Sequence, residues 1–136
     1  MSTLRSCSIV LAMSLTIGVA SAEEFDGSQP LECTATKGHD CLPTESKCNR
    51  LKPESNTPPV FLIDAAKKEV HSPFRTTVLP VLYTNTGEQS LVLQGADQHV
   101  SWTAAINKKT GAMTVAIADR KGAYVVFGQC KVAATK

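Results

Sequence analysis

The sequence predicts an all-β domain: a small antiparallel meander of seven or eight strands, closed as a barrel or sandwich and stapled by disulfides. Three observations carry that expectation. From Val60 onward, short apolar runs alternate with turn signals at the roughly 8–12-residue spacing of short antiparallel strands. Beyond Ala22 no stretch sustains a 3.6-residue apolar period for three turns, and Val60–Val70 is the nearest contender for a helix. Cysteines sit both early and late in the chain, where a small domain gains most from cross-linking.

Residues 1–22 read as a cleavable export signal. Arg5 supplies a weak positive start, Ile9–Ala20 an apolar core, and Ala20-Ser21-Ala22 the small-x-small site ahead of Glu23. The apolar run is short against roughly 30 Å of hydrocarbon, and Glu23-Glu24 follows it at once. Cys7 precedes the apolar core, so it is not the lipid-bearing first residue of a lipoprotein. With no second hydrophobic segment and no twin-Arg pair, the expectation is a periplasmic or secreted protein with no membrane span after processing.

Cleavage removes Cys7 and leaves Cys33, Cys41, Cys48 and Cys130. An even count in a secreted chain of this size reads as two disulfides, with three connectivities open. The spacing favours Cys41 with Cys48, a clip across Leu42–Lys47, and Cys33 with Cys130, tying the first ordered segment to the end of the last strand. The rival is a metal site built from Cys33, His39, Asp40, Cys41 and Cys48. It lacks the C-x-x-C spacing of a zinc knuckle, so neither metal nor cofactor is expected.

Residues 23–136 form one domain by length, burying about two-thirds of the unfolded surface. Within it, residues 23–59 are a polar, cysteine-rich arm with Leu31–Thr36 as its one plausible strand. Leu51–Pro59 reads as an exposed linker, since Pro58 and Pro59 cannot donate to a ladder. Residues 60–136 carry the meander. Val60–Asp64 and Lys68–His71 pair across Ala65-Ala66-Lys67. Thr77–Tyr83 follows, interrupted by Pro80 in the manner of an edge or bulge, and Thr84–Glu88 turns the chain into Ser90–Gly95. The clearest hairpin is Ser101–Asp119, with Trp102, Ala104 and Ile106 facing Met113, Val115 and Ile117 across the turn Asn107–Gly111. Asp119–Gly122 repeats the device and leads into Tyr124–Lys131.

The formal charge is +2 for the whole chain, and Lys67-Lys68, Lys108-Lys109 and Arg120-Lys121 fall at turns, so nucleic acid is a poor partner. There is no G-x-S-x-G elbow, H-E-x-x-H helix or glycine-rich phosphate loop. His39, His71 and His99 have no ligand-like spacing, and Asp64, Asp97 and Asp119 read as turn acceptors. No enzyme activity is expected. The residues with a claim to partner contact are Trp102, Tyr83 and His99, the last because it precedes the Trp102 strand. For Trp102 the core is the stronger reading. A barrel of about eight short strands has room for its own side chains or one small ligand, and few aromatics are present to line a pocket.

Several elements resemble a group of small exported proteobacterial proteins without an assigned function: FDGSQPLEC at Phe25–Cys33, FLIDAAKKEV at Phe61–Val70, LVLQG at Leu91–Gly95, WTAAI at Trp102–Ile106 and FGQC at Phe127–Cys130, with the Cys41 and Cys48 spacing. The resemblance covers nearly all of residues 23–136, with Asn49–Pro59 fitting least well. It implies a periplasmic home and brings no catalytic residues. In architecture alone the chain is similar to lysozyme inhibitors of the membrane-bound lysozyme inhibitor type, whose small barrels are also closed by an early and a late cysteine. Their Ser-Gly-x-x-Tyr loop has its nearest match in Lys121-Gly122-Ala123-Tyr124, which lacks the Ser and is one residue short. The expected function is binding of an envelope protein or component, with inhibition of a cell-wall hydrolase or protease as the alternative.

Overall fold

The computed structural model describes residues 25–52 and 55–134, so the segment expected to be an export signal and Pro53-Glu54 of the expected linker lie outside the described residues. Every regular element described is a strand: β1 (Leu31–Cys41), β2 (Asn49–Arg50), β3 (Val60–Asp64), β4 (Glu69–His71), β5 (Leu79–Pro80), β6 (Tyr83–Thr86), β7 (Ser90–Ala96), β8 (Val100–Asn107), β9 (Ala112–Asp119) and β10 (Ala123–Val132). All pairings are antiparallel, in the order β5-β4-β3-β1-β10-β9-β8-β7-β6, with β2 attached to β1.

The two ends of that order are joined by the chain itself. Val81 N donates to Lys68 O beside β4, and the next amide, Leu82 N, donates to Gln94 O on β7. Leu79–Thr86 is therefore one bent strand whose first half pairs with β4 and whose second half pairs with β7. Counted so, and leaving β2 aside, the wall has eight strands in an up-and-down ring. Pro80 causes the bend: it has no N–H to continue the ladder. The strand expected at Thr77–Tyr83 is thus split, and the turn expected at Thr84–Glu88 falls later, after Thr86. There Gly87 N reaches Ser90 O, while Thr84–Thr86 pair with Leu93–Leu91.

Strand parity fills the lumen. Leu91 and Leu93 of β7, Trp102, Ala104 and Ile106 of β8, Met113 and Val115 of β9, and Phe61 and Ile63 of β3 are buried, and no polar or charged residue among those described is. The β8–β9 hairpin pairs Trp102, Ala104 and Ile106 with Ile117, Val115 and Met113. In its turn Asn107 Oδ1 accepts from the amides of Lys109 and Thr110, and Gly111 leaves with φ +71°. Val60–Val70, the contender for a helix, is the β3–β4 hairpin, with Ile63 and Val70 inward and Lys68 at φ 59°.

The strand expected at Leu31–Thr36 runs on to Cys41. Past a register shift between Ala35 and Lys37 it keeps pairing with β10, and it also takes β2 as a neighbour, a strand hidden by its polar composition. Cys33 and Cys130 face each other on β1 and β10 and are disulfide-bonded, as are Cys41 and Cys48. Phe25 plugs the end of the barrel near the β8–β9 turn: it is buried, and a Cβ on Gly111 would lie 2.8 Å from its ring.

Candidate functional site

The opposite end of the barrel is different. After β4, Ser72–Val78 forms a loop that lies beside the β7–β8 turn, and Asp97 joins the two. Its Oδ1 accepts from the amides of His99 (2.7 Å) and Val100 (3.0 Å), while its Oδ2 takes Arg75 Nη1 at 3.1 Å. These bonds stabilise the carboxylate, so the Asp97 pKa lies below the ordinary value; the His99 amide is the largest cause, then the Val100 amide, with Arg75 adding to it. One side chain thus closes a turn with one oxygen and moors a loop with the other.

Beneath the loop is a cavity of about 130 Å³ whose lining includes Phe61, Phe74, Arg75, Val100, Trp102 and Ala104. Among the described residues, Ser72 and Arg75 are the polar ones in its lining. The rings of Phe61 and Phe74 meet edge to face at 6.0 Å. Trp102 forms the floor near the seam: its indole lies against Gly95, directly opposite on β7, where a Cβ would collide with both the indole and the Pro80 carbonyl oxygen. Trp102 is 7% exposed, and its Nε1–H is enclosed without an acceptor.

Outside the cavity the same stretch of chain carries apolar side chains into solvent. Phe74 is 65% exposed, Val78 43%, Leu82 66% and Tyr83 51%. Of the residues singled out by sequence, Tyr83 belongs to this rim, His99 stands exposed in the turn held by Asp97, and Trp102 is enclosed below. The other histidines are elsewhere: His39 on β1 and His71 at the end of β4, the latter 3.8 Å from Glu69. Asp64 and Asp119 each accept backbone amides in their own turns.

Phe74, Arg75, Val78 and Leu82 were not singled out by sequence. A signal for them exists in Val78–Tyr83, which is apolar on both parities apart from Pro80. A strand with one wet face should alternate, so the surplus marks apolar groups left outside. The Arg75–Asp97 link has no sequence signature, because it depends on how the ring closes.

No helix among the described residues is long and apolar enough to cross a membrane, and no group of three or more His, Cys, Asp or Glu is placed there to hold a metal ion. No protein-family model, curated protein or solved structure matches the chain.

Proposed function

We propose that this protein is an exported, non-enzymatic binding module of the bacterial envelope that engages its partner at the barrel rim formed by Phe74, Val78, Leu82 and Tyr83. The observation that carries the reading is this group of four large hydrophobic residues, each more than two-fifths exposed within ten residues of chain. Single exposed apolar residues are ordinary; a run of them beside a cavity is a feature of binding surfaces. Export is supported by the signal-like start and by the two disulfides, which persist in oxidising compartments.

A photo-crosslinking residue at Leu82, with the same residue at Leu62 of β3 as control, tests the rim in intact cells. Leu62 is 45% exposed, so simple stickiness would label both. A discrete adduct from position 82 alone, competed by excess unlabelled protein, is the expected result. Equal labelling, or none, would remove the rim as an interface.

The second reading, inhibition of a cell-wall hydrolase or protease, draws on Phe74, because an exposed aromatic on a loop is a group that enters a cleft. Titrating lysozyme and a serine protease with the protein and with Phe74→Ala decides between the two readings.

A further inference from the structure

The strand that closes the ring leaves a backbone edge open where it changes neighbour. Val81 N bonds to Lys68 O beside β4, and from Leu82 onward the strand pairs, among the described residues, with β7 alone. The hairpin fixes which backbone groups of β6 that pairing uses. Gly87 N donates to Ser90 O, and opposed residues in an antiparallel ladder alternate between bonded and non-bonded pairs. Asn85 with Val92 and Tyr83 with Gln94 are therefore bonded pairs, whereas Thr84 with Leu93 and Thr86 with Leu91 are not. Leu82 N also reaches Gln94 O, so Leu82 and Tyr83 stand together against Gln94 as a β-bulge. The N–H and C=O of Thr84 and Thr86 thus point away from β7, and so does Leu82 O, which lies across its planar peptide from the Tyr83 N–H. On that side β6 has no neighbouring strand among the described residues. The side is open to solvent: Leu91 and Leu93 are 0% exposed, yet the threonines opposite them are exposed, as is the whole of β6.

We propose that β6 pairs with β6 of a second copy of this chain, antiparallel about a two-fold axis at Thr84. Outward edge groups take an extended backbone, and the register makes a second copy the occupant. About that axis Thr84 of each copy exchanges hydrogen bonds with Thr84 of the other, and Thr86 N of each meets Leu82 O of the other, so the outward groups from Leu82 O to Thr86 N all find partners. Tyr83 falls opposite Asn85 of the second copy. These two side chains already bond within one chain, Asn85 Nδ2 donating to Tyr83 Oη at 3.1 Å. Leu82–Thr86 carries no charge and no proline, so two copies meet along it without like-charge repulsion and without a missing donor. Leu82 and Tyr83, 66% and 51% exposed, are drawn into the contact. Self-pairing rests on the reading of the rim as an interface and names its occupant.

Sedimentation of the disulfide-intact protein from about 10 µM to about 1 mM tests this, because a ladder so short makes a small interface with a Kd in roughly that range. A monomer–dimer equilibrium is expected. Amide exchange should slow on association at Thr84 and Thr86 and stay unchanged at Tyr83 and Asn85, whose amides already bond to β7. Thr84→Pro removes the outward donor and none of the bonds to β7; it should weaken the dimer about 10-fold or more, with the melting temperature little changed. Should that variant fail to fold, charge at the axis replaces it: Thr84→Lys and Thr84→Glu, each opposed to itself, should stay monomeric alone and associate when mixed. A monomer at every concentration, a dimer whose Thr84 amide exchanges as fast as in the monomer, or a mixture of the charged variants no more associated than either alone would overturn the proposal. The Leu82 crosslink separates self-pairing from the rim reading beneath it. An adduct of twice the chain mass belongs to self-pairing, whereas an adduct of another mass, with a monomeric protein in the centrifuge, would reject the second copy and leave the rim as the interface.

Discussion

At the scale of single residues, the seam of the barrel depends on an atom that is missing. Gly95 lies on β7 where the bent strand crosses over, with the Trp102 indole on one side and the Pro80 carbonyl oxygen on the other. The backbone oxygen cannot swing away as a flexible side chain would, and the indole is held by the cavity wall. Gly95→Ala should therefore destabilise by about 1–3 kcal/mol or more through overpacking, and the displacement should be felt first at Trp102. A lowered melting temperature together with increased quenching of the native tryptophan by iodide is the expected result. Unchanged stability would mean that the seam is looser than the described contacts. Gly122, in the turn that leads into β10 and beside the Cys41 carbonyl oxygen, is a suitable comparison, because a Cβ there would meet Cys41 and Leu42 and not Trp102.

At the scale of elements, the turns were the most legible part of the sequence and the bent strand the least. Asn107, Asp97 and Asp119 act within three residues of themselves, so local chemistry suffices to recognise them. Residues 101–119 were equally readable, because one face of each strand is wet and the alternation is clean. The split of Leu79–Thr86 between two neighbours and the continuation of β1 past Thr36 are set by partners distant in sequence. No local pattern encodes them. The rim was half legible: Tyr83, His99 and Trp102 stand at or under it, whereas no local pattern marks the loop that carries Phe74 and Arg75.

Asp97 makes the junction of the loop and the β7–β8 turn titratable. Its folded pKa is lowered, principally by the His99 and Val100 amides and then by Arg75. Its contribution is therefore complete above the ordinary aspartate value of 3.8 and is lost as pH falls through the lower folded value. Acidification below that range should loosen Ser72–Val78 and admit iodide to Trp102. Asp119 and Asp26 are also lowered, by bonds in their own turns that acidification weakens, so a variant must isolate the loop. Asp97→Asn retains an oxygen for the amides but gives up the charge that pairs with Arg75. It should show faster amide exchange in 72–78 at neutral pH, and the component of Trp102 quenching that appears on acidification of the wild type should already be present. If exchange in the loop is the same in both proteins, Arg75 does not moor it.

At the scale of the whole molecule, an up-and-down ring must close by pairing its first strand with its last, and that pair is β1 with β10. The other neighbours in the wall follow one another along the chain, so this contact carries the largest loop-closure entropy and forms last by that argument. Cys33–Cys130 lies within it, at a register pair, with a sequence separation of 97; Cys41–Cys48 closes a separation of 7. On the loop-entropy model the long bridge stabilises by about 4.7 kcal/mol and the short one by about 2.5 kcal/mol. The long bridge is also buried in the lumen, where Cys33 and Cys130 touch the core. Paired Ser substitutions, which leave no odd thiol, separate the two. Cys33→Ser with Cys130→Ser should lose about 4–5 kcal/mol, with a further loss from two hydroxyls placed in an apolar core, and the ring should open at β1·β10 before any other seam by hydrogen exchange. Cys41→Ser with Cys48→Ser should lose about half as much and leave exchange at that seam unchanged. The intact native protein should weigh about 4 Da less than its fully reduced form. Equal destabilisation by the two double variants would show that closing the ring is not what the long disulfide contributes.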